Sequence, residues 1–382
     1  MNKELYGYHK IFNNDFKEVK KALNGKFITG GNYVSKFENA LKKKLNCKFA
    51  LTCSSGTSAL LLAIKSLKLK KNSYILIPSI NFLSSSNIAK QLGFKIIFVD
   101  IDPKNGLVTP EIFFDTIKSC KAKNIKPKLF IPQFHAGQSP DCKTIYKIAK
   151  KNKIFIIEDA CHALGSKYNK LYSIGSCKFS DLSTFSFHPV KNITTGEGGL
   201  VTTNSKFKYD YMKKIRNHGM ESQKQKIFPY KVTEYGYNFR LSDINCALGF
   251  SQLKKLNSIK VKKKKLYKYF EKKLSKIKKI NLIEKSKFCD PCWHLLIVKI
   301  KFNNFQRKEK FMNYLEKNKI GSQIHYIPIY KHKIFSKEIC FTKNGSEELF
   351  KQSITLPFHI NLIKKDIDYI VKKINTFINK HS

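Results

Sequence analysis

The run Phe155-Ile156-Ile157-Glu158-Asp159-Ala160-Cys161-His162 decides the fold. Its opening is apolar and too short for a helix, which suits a strand buried on both faces. A carboxylate at the end of such a strand is costly to bury without a cationic partner. Side chains alternate across a strand, so Glu158 and Asp159 face opposite ways and do not make the paired carboxylates of a glycosidase. Asp159 is a candidate to hold a protonated heterocycle, with His162 beside it once the chain turns. The alternative is a solvated strand-end acid.

The same texture recurs outward from this run. Tyr74–Ile77, Ile96–Val99, Leu129–Ile131 and Leu200–Thr203 are short apolar stretches expected to be buried parallel strands. Helical patterns lie between most of them. Val34, Phe37, Leu41 and Leu45 form one apolar stripe, and Ala59–Leu67 is apolar nearly all round, so that helix packs inside. Strand and helix alternating at this spacing predict an α/β fold, an open sheet covered on both faces. Ligands of such sheets bind beyond the carboxyl ends of the strands. From about residue 253 the pattern changes to a lysine-dense helix over 253–280, with Leu266, Phe270, Leu274 and Ile277 as its buried stripe. A strand at Leu295–Ile300 and an amphipathic helix near Ile367–Ile378 follow. The expected division is a large domain over 1–252, with an amino-terminal arm, and a smaller α+β domain over 253–382.

A chain of 382 residues with 42% hydrophobic side chains has ample material for a core. Its formal charge of +46 invites a nucleic-acid reading, yet only three of the 73 basic residues are arginine: Arg216, Arg240 and Arg307. Guanidinium forks are the usual grip on phosphates and guanine edges, so no specific nucleic-acid partner is expected, and the lysines are read as solvated faces. No apolar run reaches the length of a membrane span, and the first residues lack the apolar stretch of a secretory signal. A soluble cytoplasmic protein is the expectation. Ten scattered cysteines suit a reducing compartment. Cys289-Asp-Pro-Cys292-Trp-His294 has one half of a zinc pattern but no second pair at a suitable distance, so no metal is expected there.

Two further stretches carry chemistry. Thr52-Cys53-Ser54-Ser55-Gly56-Thr57-Ser58 stands immediately before the buried helix, where small residues and free N–H groups suit a phosphate. An ordinary N-cap would look the same. Ser183-Thr184-Phe185-Ser186-Phe187-His188-Pro189-Val190-Lys191 leads into a glycine turn ending at Gly199. Lys191 there is set among aromatic and hydroxyl residues, where desolvation would make its amine nucleophilic, and Ser186 could add a phosphate contact. A phosphate cradle, an acid for a pyridinium and a lysine for an aldehyde are together what pyridoxal phosphate requires.

The strings Ser-Ser-Gly-Thr-Ser-Ala-Leu (54–60), Glu-Asp-Ala-Cys-His-Ala-Leu-Gly (158–165), Ser-Phe-His-Pro-Val-Lys-Asn-Ile-Thr-Thr-Gly-Glu-Gly-Gly (186–199), Arg-Asn-His-Gly-Met (216–220) and Tyr-Asn-Phe-Arg-Leu-Ser-Asp (237–243) resemble the DegT/DnrJ/EryC/StrS nucleotide-sugar aminotransferases. The resemblance runs through nearly the whole chain. It is closest to the branch that aminates C4 of a UDP-linked 4-keto-6-deoxy-N-acetylhexosamine in pseudaminic-acid synthesis, including Gly-Ser-Gln-Ile-His-Tyr-Ile-Pro-Ile-Tyr (321–330) and Ile-Thr-Leu-Pro-Phe-His (354–359).

The resemblance implies the aspartate-aminotransferase fold, pyridoxal phosphate as cofactor, L-glutamate as amino donor and a cytoplasmic homodimer with shared sites. It implies that Lys191 bonds the cofactor aldehyde and shuttles protons, and that Asp159 holds the pyridinium nitrogen. His162, where many relatives have glutamine, would face the ring hydroxyl, and Phe82 would stack on the ring. Gly56, Thr57 and Ser186 would bind the cofactor phosphate, with Asn238 reaching it from the neighbouring subunit. His188 matches relatives and is counted with Lys191, Asp159 and His162 among the catalytic residues, its step undefined, and His325 and Tyr326 match a segment near the sugar nucleotide. Related dehydratases carry histidine in place of Lys191, so the lysine favours amino transfer. The remaining readings are a C3 or GDP-linked keto-sugar as substrate, and a non-catalytic binding relative. Loops around 221–236 and 285–295 are expected to set the choice of sugar.

Overall fold

A computed structural model describes residues 5–223, 227, 229–302 and 304–380. The first four residues and part of the 221–236 loop therefore lie outside the described residues.

The large sheet contains, in chain order, β1 (Phe49–Cys53), β2 (Tyr74–Pro78), β3 (Lys95–Val99), β4 (Pro127–Phe130), β5 (Phe155–Asp159), β6 (Leu182–Ser186) and β7 (Gly199–Thr203). Across the sheet they run β1-β7-β6-β5-β4-β2-β3, and the two-residue strand Ile339–Cys340 pairs parallel to β3 at the far edge. The pairs from β3 through β6 are parallel. Burial on both faces explains why these strands are nearly continuous apolar runs.

The expectation of a parallel strand at Leu200–Thr203 is corrected here. β7 is antiparallel to both neighbours, pairing Leu182 with Thr203 on one side and Phe49 with Thr203 on the other. A parallel return needs a long crossover, usually a helix. The segment between β6 and β7 is instead a loop closed at its base, where Phe187 N–H donates to Gly198 O (2.8 Å) and Thr195 N–H to Phe187 O (3.0 Å). β1 was not anticipated; Phe-Ala-Leu-Thr-Cys is too mixed to stand out as an apolar run.

Helices cover both faces. Gly56–Ser66 packs its apolar residues against one face together with Lys206–Arg216. On the other face, Asn32–Leu45 buries the expected Phe37, Leu41 and Leu45, with the Phe37 ring 5.4 Å from that of Phe187. The lysine-dense helix begins ten residues before its expected start. It is one unbroken element, Asp243–Leu274, so the boundary expected at 252/253 falls inside it. Ser242 caps its first turn by accepting from Asn245 N–H, and Asp243 accepts from the N–H groups of Gly31 and Tyr33 at 2.7 Å each. Leu266, Phe270 and Leu274 are buried as the stripe requires, and Ile277 is buried just beyond the helix end. A second, antiparallel sheet places Leu296–Ile300 between Ile280–Leu282 and Ser353–Leu356. Lys364–Lys380 covers it with Ile367, Ile370 and Ile374.

Candidate active site

A cavity of about 510 Å³ opens at the carboxyl ends of β4, β5 and β6. Gly56, Thr57, Phe82, Asp159, His162, Ser186, His188, Lys191, His325 and Tyr326 all line it. Of the residues singled out in the sequence, only Asn238 is absent from its walls; that side chain is exposed on this chain.

β5 delivers the acid. The N–H of Asp159 donates to Pro132 O (2.9 Å) and that of Ala160 to Thr184 O (2.9 Å), so the strand end is gripped from both neighbours. Glu158 points the other way, accepting from Tyr168 Oη and Ser183 Oγ at 2.5 Å each, and burial pushes its carboxyl up to about 7. Asp159 accepts from Cys161 N–H (3.3 Å); burial raises its pKa, while Cys161, the charge of Lys191 and Asn81 pull it down. A tight turn, Ala163 N–H to Ala160 O at 2.8 Å, then folds His162 back over the strand end. Tyr326 Oη lies 3.1 Å from His162 Nε2, and the His294 ring centroid is 4.4 Å from that of His162. Burial drives both histidines well below their ordinary pKa, so both are neutral.

Lys191 sits in the loop between β6 and β7, where a turn (Lys191 N–H to His188 O, 2.9 Å) starts just after Ser186. The next residue pins the loop: Asn192 Nδ2 donates to Leu164 O (3.0 Å) and Cys292 O (3.2 Å), and Lys263 Nζ donates to Asn192 Oδ1 (2.8 Å). Desolvation lowers the pKa of Lys191, opposed by the nearby Cys161 and Asp159, so the neutral amine is more accessible than on a surface lysine.

The opposite wall is the start of helix Gly56–Ser66. Ser55 caps it by accepting from Ser58 N–H (3.0 Å). Gly56 faces Ser186 so closely that a Cβ there would lie 2.9 Å from Ser186 Cβ. Gly199 is equally constrained, since a Cβ would come within 2.1 Å of Ser55 O. These two glycines let β7, β6 and the helix N-terminus converge on one small space.

His325 stands over the site, its Nδ1 2.8 Å from Thr355 Oγ1 and its ring 5.3 Å from that of Tyr6; burial holds it neutral, at about 3. Phe82 is 56% exposed, its ring 6.0 Å from that of Tyr326.

The sequence reading missed Tyr6, Asn81, Gln133 and Cys161 among the lining residues, and had noted His294 only for its place beside two cysteines. Asn81 and Gln133 follow the ends of β2 and β4, so the carboxyl-end rule could have found them. Tyr6 gave no signal. Among the described residues, no group of three or more His, Cys, Asp or Glu side chains is placed to hold a metal ion. A wider cleft of about 920 Å³ is lined by Tyr211, Arg216, Tyr230 and Arg240. There the arginines act as braces: Arg216 bonds Glu38 (2.9 Å) and Thr52 O (2.7 Å), tying the end of a helix to β1.

Residues 9–375 match the model of the DegT/DnrJ/EryC1/StrS aminotransferase family. The chain belongs to this family. It is 33% identical over 380 residues, covering 98% of this chain and 97% of the relative, to the UDP-4-amino-4,6-dideoxy-N-acetyl-beta-L-altrosamine transaminase of Campylobacter jejuni (strain 81-176). It is 30% identical over 361 residues, 94% of either chain, to the GDP-perosamine synthase of Escherichia coli O157:H7. Among solved structures, Helicobacter pylori PseC, described as an aminotransferase of pseudaminic-acid biosynthesis, superposes with a TM-score of 0.90 at 29% identity, over 99% of this chain and 100% of that one.

Pyridoxal phosphate is this family's cofactor, and the residues present fit it. The cradle at Gly56 has no room for even a methyl group on its own residue, leaving backbone N–H groups free at a helix start. The buried Asp159 faces an amine and has space beside it. His162 Nδ1 is buried with no hydrogen-bond partner among the described residues, as expected of a group awaiting a ligand.

Proposed function

We infer that this aminotransferase moves an amino group from L-glutamate to C4 of a UDP-linked 4-keto-6-deoxy-N-acetylhexosamine. The observation that carries the reading is the meeting of Lys191, Asp159 and the Gly56–Ser186 cradle in one cavity. The C. jejuni relative, matched over nearly its full length, supports the choice of sugar.

Pyridoxal phosphate supplies an aldehyde and an electron-withdrawing ring, which acidifies the C–H beside an amine attached to it. The chain supplies the rest. Lys191 Nζ, whose pKa desolvation lowers, would bond the cofactor aldehyde with loss of water, and would take a proton from the donor's Cα as base and deliver it as acid to the carbon that had been the aldehyde. Asp159, costly to bury alone, gains a counter-charge in the ring nitrogen and keeps it protonated. His162 presents Nδ1 to the ring hydroxyl while Tyr326 holds Nε2. Phe82 covers the ring face, and Gly56, Thr57 and Ser186 take the phosphate. Asn238, exposed away from this cavity, would serve the phosphate of a partner in a homodimer. His325 and Tyr326 border the sugar side, where the nucleotide contributes binding energy remote from the ketone. His188 is exposed at the rim and is left without a step. A cytoplasmic setting suits these substrates.

The test is Lys191→Ala together with a panel of UDP- and GDP-linked 3- and 4-keto sugars. The variant should lose both the absorbance of lysine-bound cofactor and turnover, and the wild type should aminate the UDP-4-keto sugar best. Undiminished amination by the variant would refute the role of Lys191. A preference for a GDP-linked sugar would point to the perosamine-type reading instead.

A further inference from the structure

Gln133 follows β4, is 6% exposed and lines the cavity. Its Oε1 is buried and finds no hydrogen-bond partner among the described residues. An amide left in that condition is destabilising unless something else satisfies it. Asp159 is its register partner across a parallel bridge, so the two residues occupy matching positions on neighbouring strand ends. Two histidine nitrogens in the same wall are likewise without a partner among the described residues, His162 Nδ1 and His294 Nδ1, and of the two His162 lies on the turn that directly follows Asp159. With Tyr326 on Nε2, His162 has a single ring nitrogen left for a ligand. Gln133 and His162 are not bonded to each other, and each can be satisfied by the same kind of group. A hydroxyl accepts from one partner and donates to the other, and an amide can turn over to donate if that oxygen ionises.

The order of the strands says which hydroxyl. Along the sheet, the phosphate cradle stands at β1 and β6, the acid at the end of β5 and Gln133 past the end of β4. In pyridoxal phosphate the phosphate arm and the ring hydroxyl leave opposite sides of the carbon that bears the aldehyde. With the phosphate towards β6 and the nitrogen at β5, the hydroxyl edge turns towards β4. We propose that Gln133 is a cofactor-binding residue that shares the ring hydroxyl of pyridoxal phosphate with His162. The inference rests on the reading of the site given above.

The experiment compares the affinity of the full-length protein, stripped and reconstituted, for pyridoxal phosphate and for its 3-deoxy analogue, which lacks only the ring hydroxyl. Wild type, Gln133→Met, Gln133→Leu and His162→Ala are measured by equilibrium dialysis. Wild type should prefer the hydroxyl-bearing cofactor, and each Gln133 variant should lose about three- to tenfold of that preference with little change towards the analogue, as one neutral hydrogen bond implies. The cofactor-free Gln133 variants should melt no lower than wild type, because an unpaired amide has been removed. A wild-type ratio in both Gln133 variants, with a reduced ratio in His162→Ala, overturns the role of Gln133 alone. No preference in the wild type overturns the reading of His162 as well.

Discussion

Gly56→Ala tests the cradle directly. The added Cβ would lie 2.9 Å from Ser186 Cβ and 3.4 Å from Cys161 Sγ. Carbon atoms pack best at about 3.5–4.0 Å, so the shortfall against Ser186 is roughly 0.6 Å. The helix start must retreat or the end of β6 must shift, at a cost of about 1–3 kcal/mol for overpacking. Gly56 opens helix Gly56–Ser66 and is not among the positive-φ glycines, so alanine recovers up to about 1 kcal/mol in helix propensity. The net loss of stability is then about 0–3 kcal/mol, less than the roughly 5–15 kcal/mol typical of a folded protein, which leaves the protein folded. Phosphate binding has no such offset, since the N–H groups and Ser186 are the parts displaced. A loss of about 1.4 kcal/mol there is tenfold in affinity. Titrating the cofactor-free protein with pyridoxal phosphate, and separately with pyridoxal, should show at least that loss for the first and almost none for the second. A folded variant that binds pyridoxal phosphate like the wild type would mean the phosphate does not lie between Gly56 and Ser186.

Tyr326→Phe leaves the buried His162 without its Nε2 partner, which should cost about 1–3 kcal/mol; kcat should fall roughly five- to a hundredfold with unaltered far-UV circular dichroism. Asp159→Asn should reduce kcat by about a hundredfold or more, the scale of losing a charge that stabilises a reacting group. The cofactor-free variant should nevertheless melt higher, because a buried carboxylate has gone. For Glu158, the folded pKa of about 7 stands above the ordinary 4.5, so the native state holds the proton more tightly. Its contribution to stability is therefore fully present below about pH 4.5 and falls by about 3 kcal/mol as the pH rises to about 7. Urea titrations of Glu158→Gln across that window should show a correspondingly flatter dependence than wild type.

The site was more legible than its frame. Asp159 could be found because it ends an apolar run, where chemistry gathers, the 54–58 segment because small residues precede a helix apolar nearly all round, and Lys191 because aromatic and hydroxyl residues surround it. Tyr326 and His325 came only with the family resemblance, since nothing in their spacing brings residues more than 160 positions away onto His162. β7 was found but given the wrong direction, because an apolar run records burial and says nothing of polarity. The early start of the Asp243–Leu274 helix was hidden by its first turns, where Asp243, Asn245 and Gly249 dilute the apolar pattern while tertiary packing keeps the helix whole. Gln133 stood in plain view after a strand, and only its unpaired oxygen gave it meaning.

The short strand Ile339–Cys340 has a bearing on how the protein is made. Among the described residues it alone pairs with the outer side of β3, which is otherwise an apolar strand with open backbone groups. On the ribosome β3 emerges early, whereas its cover arrives only when most of the remaining chain has been translated. Throughout that interval the nascent sheet offers a sticky margin to any neighbouring strand, and a message truncated before codon 339 would leave it bare for good. Synthesis of this protein should therefore lean on chaperones that shield strand margins, and carboxy-terminal truncations should aggregate rather than yield an intact amino-terminal half.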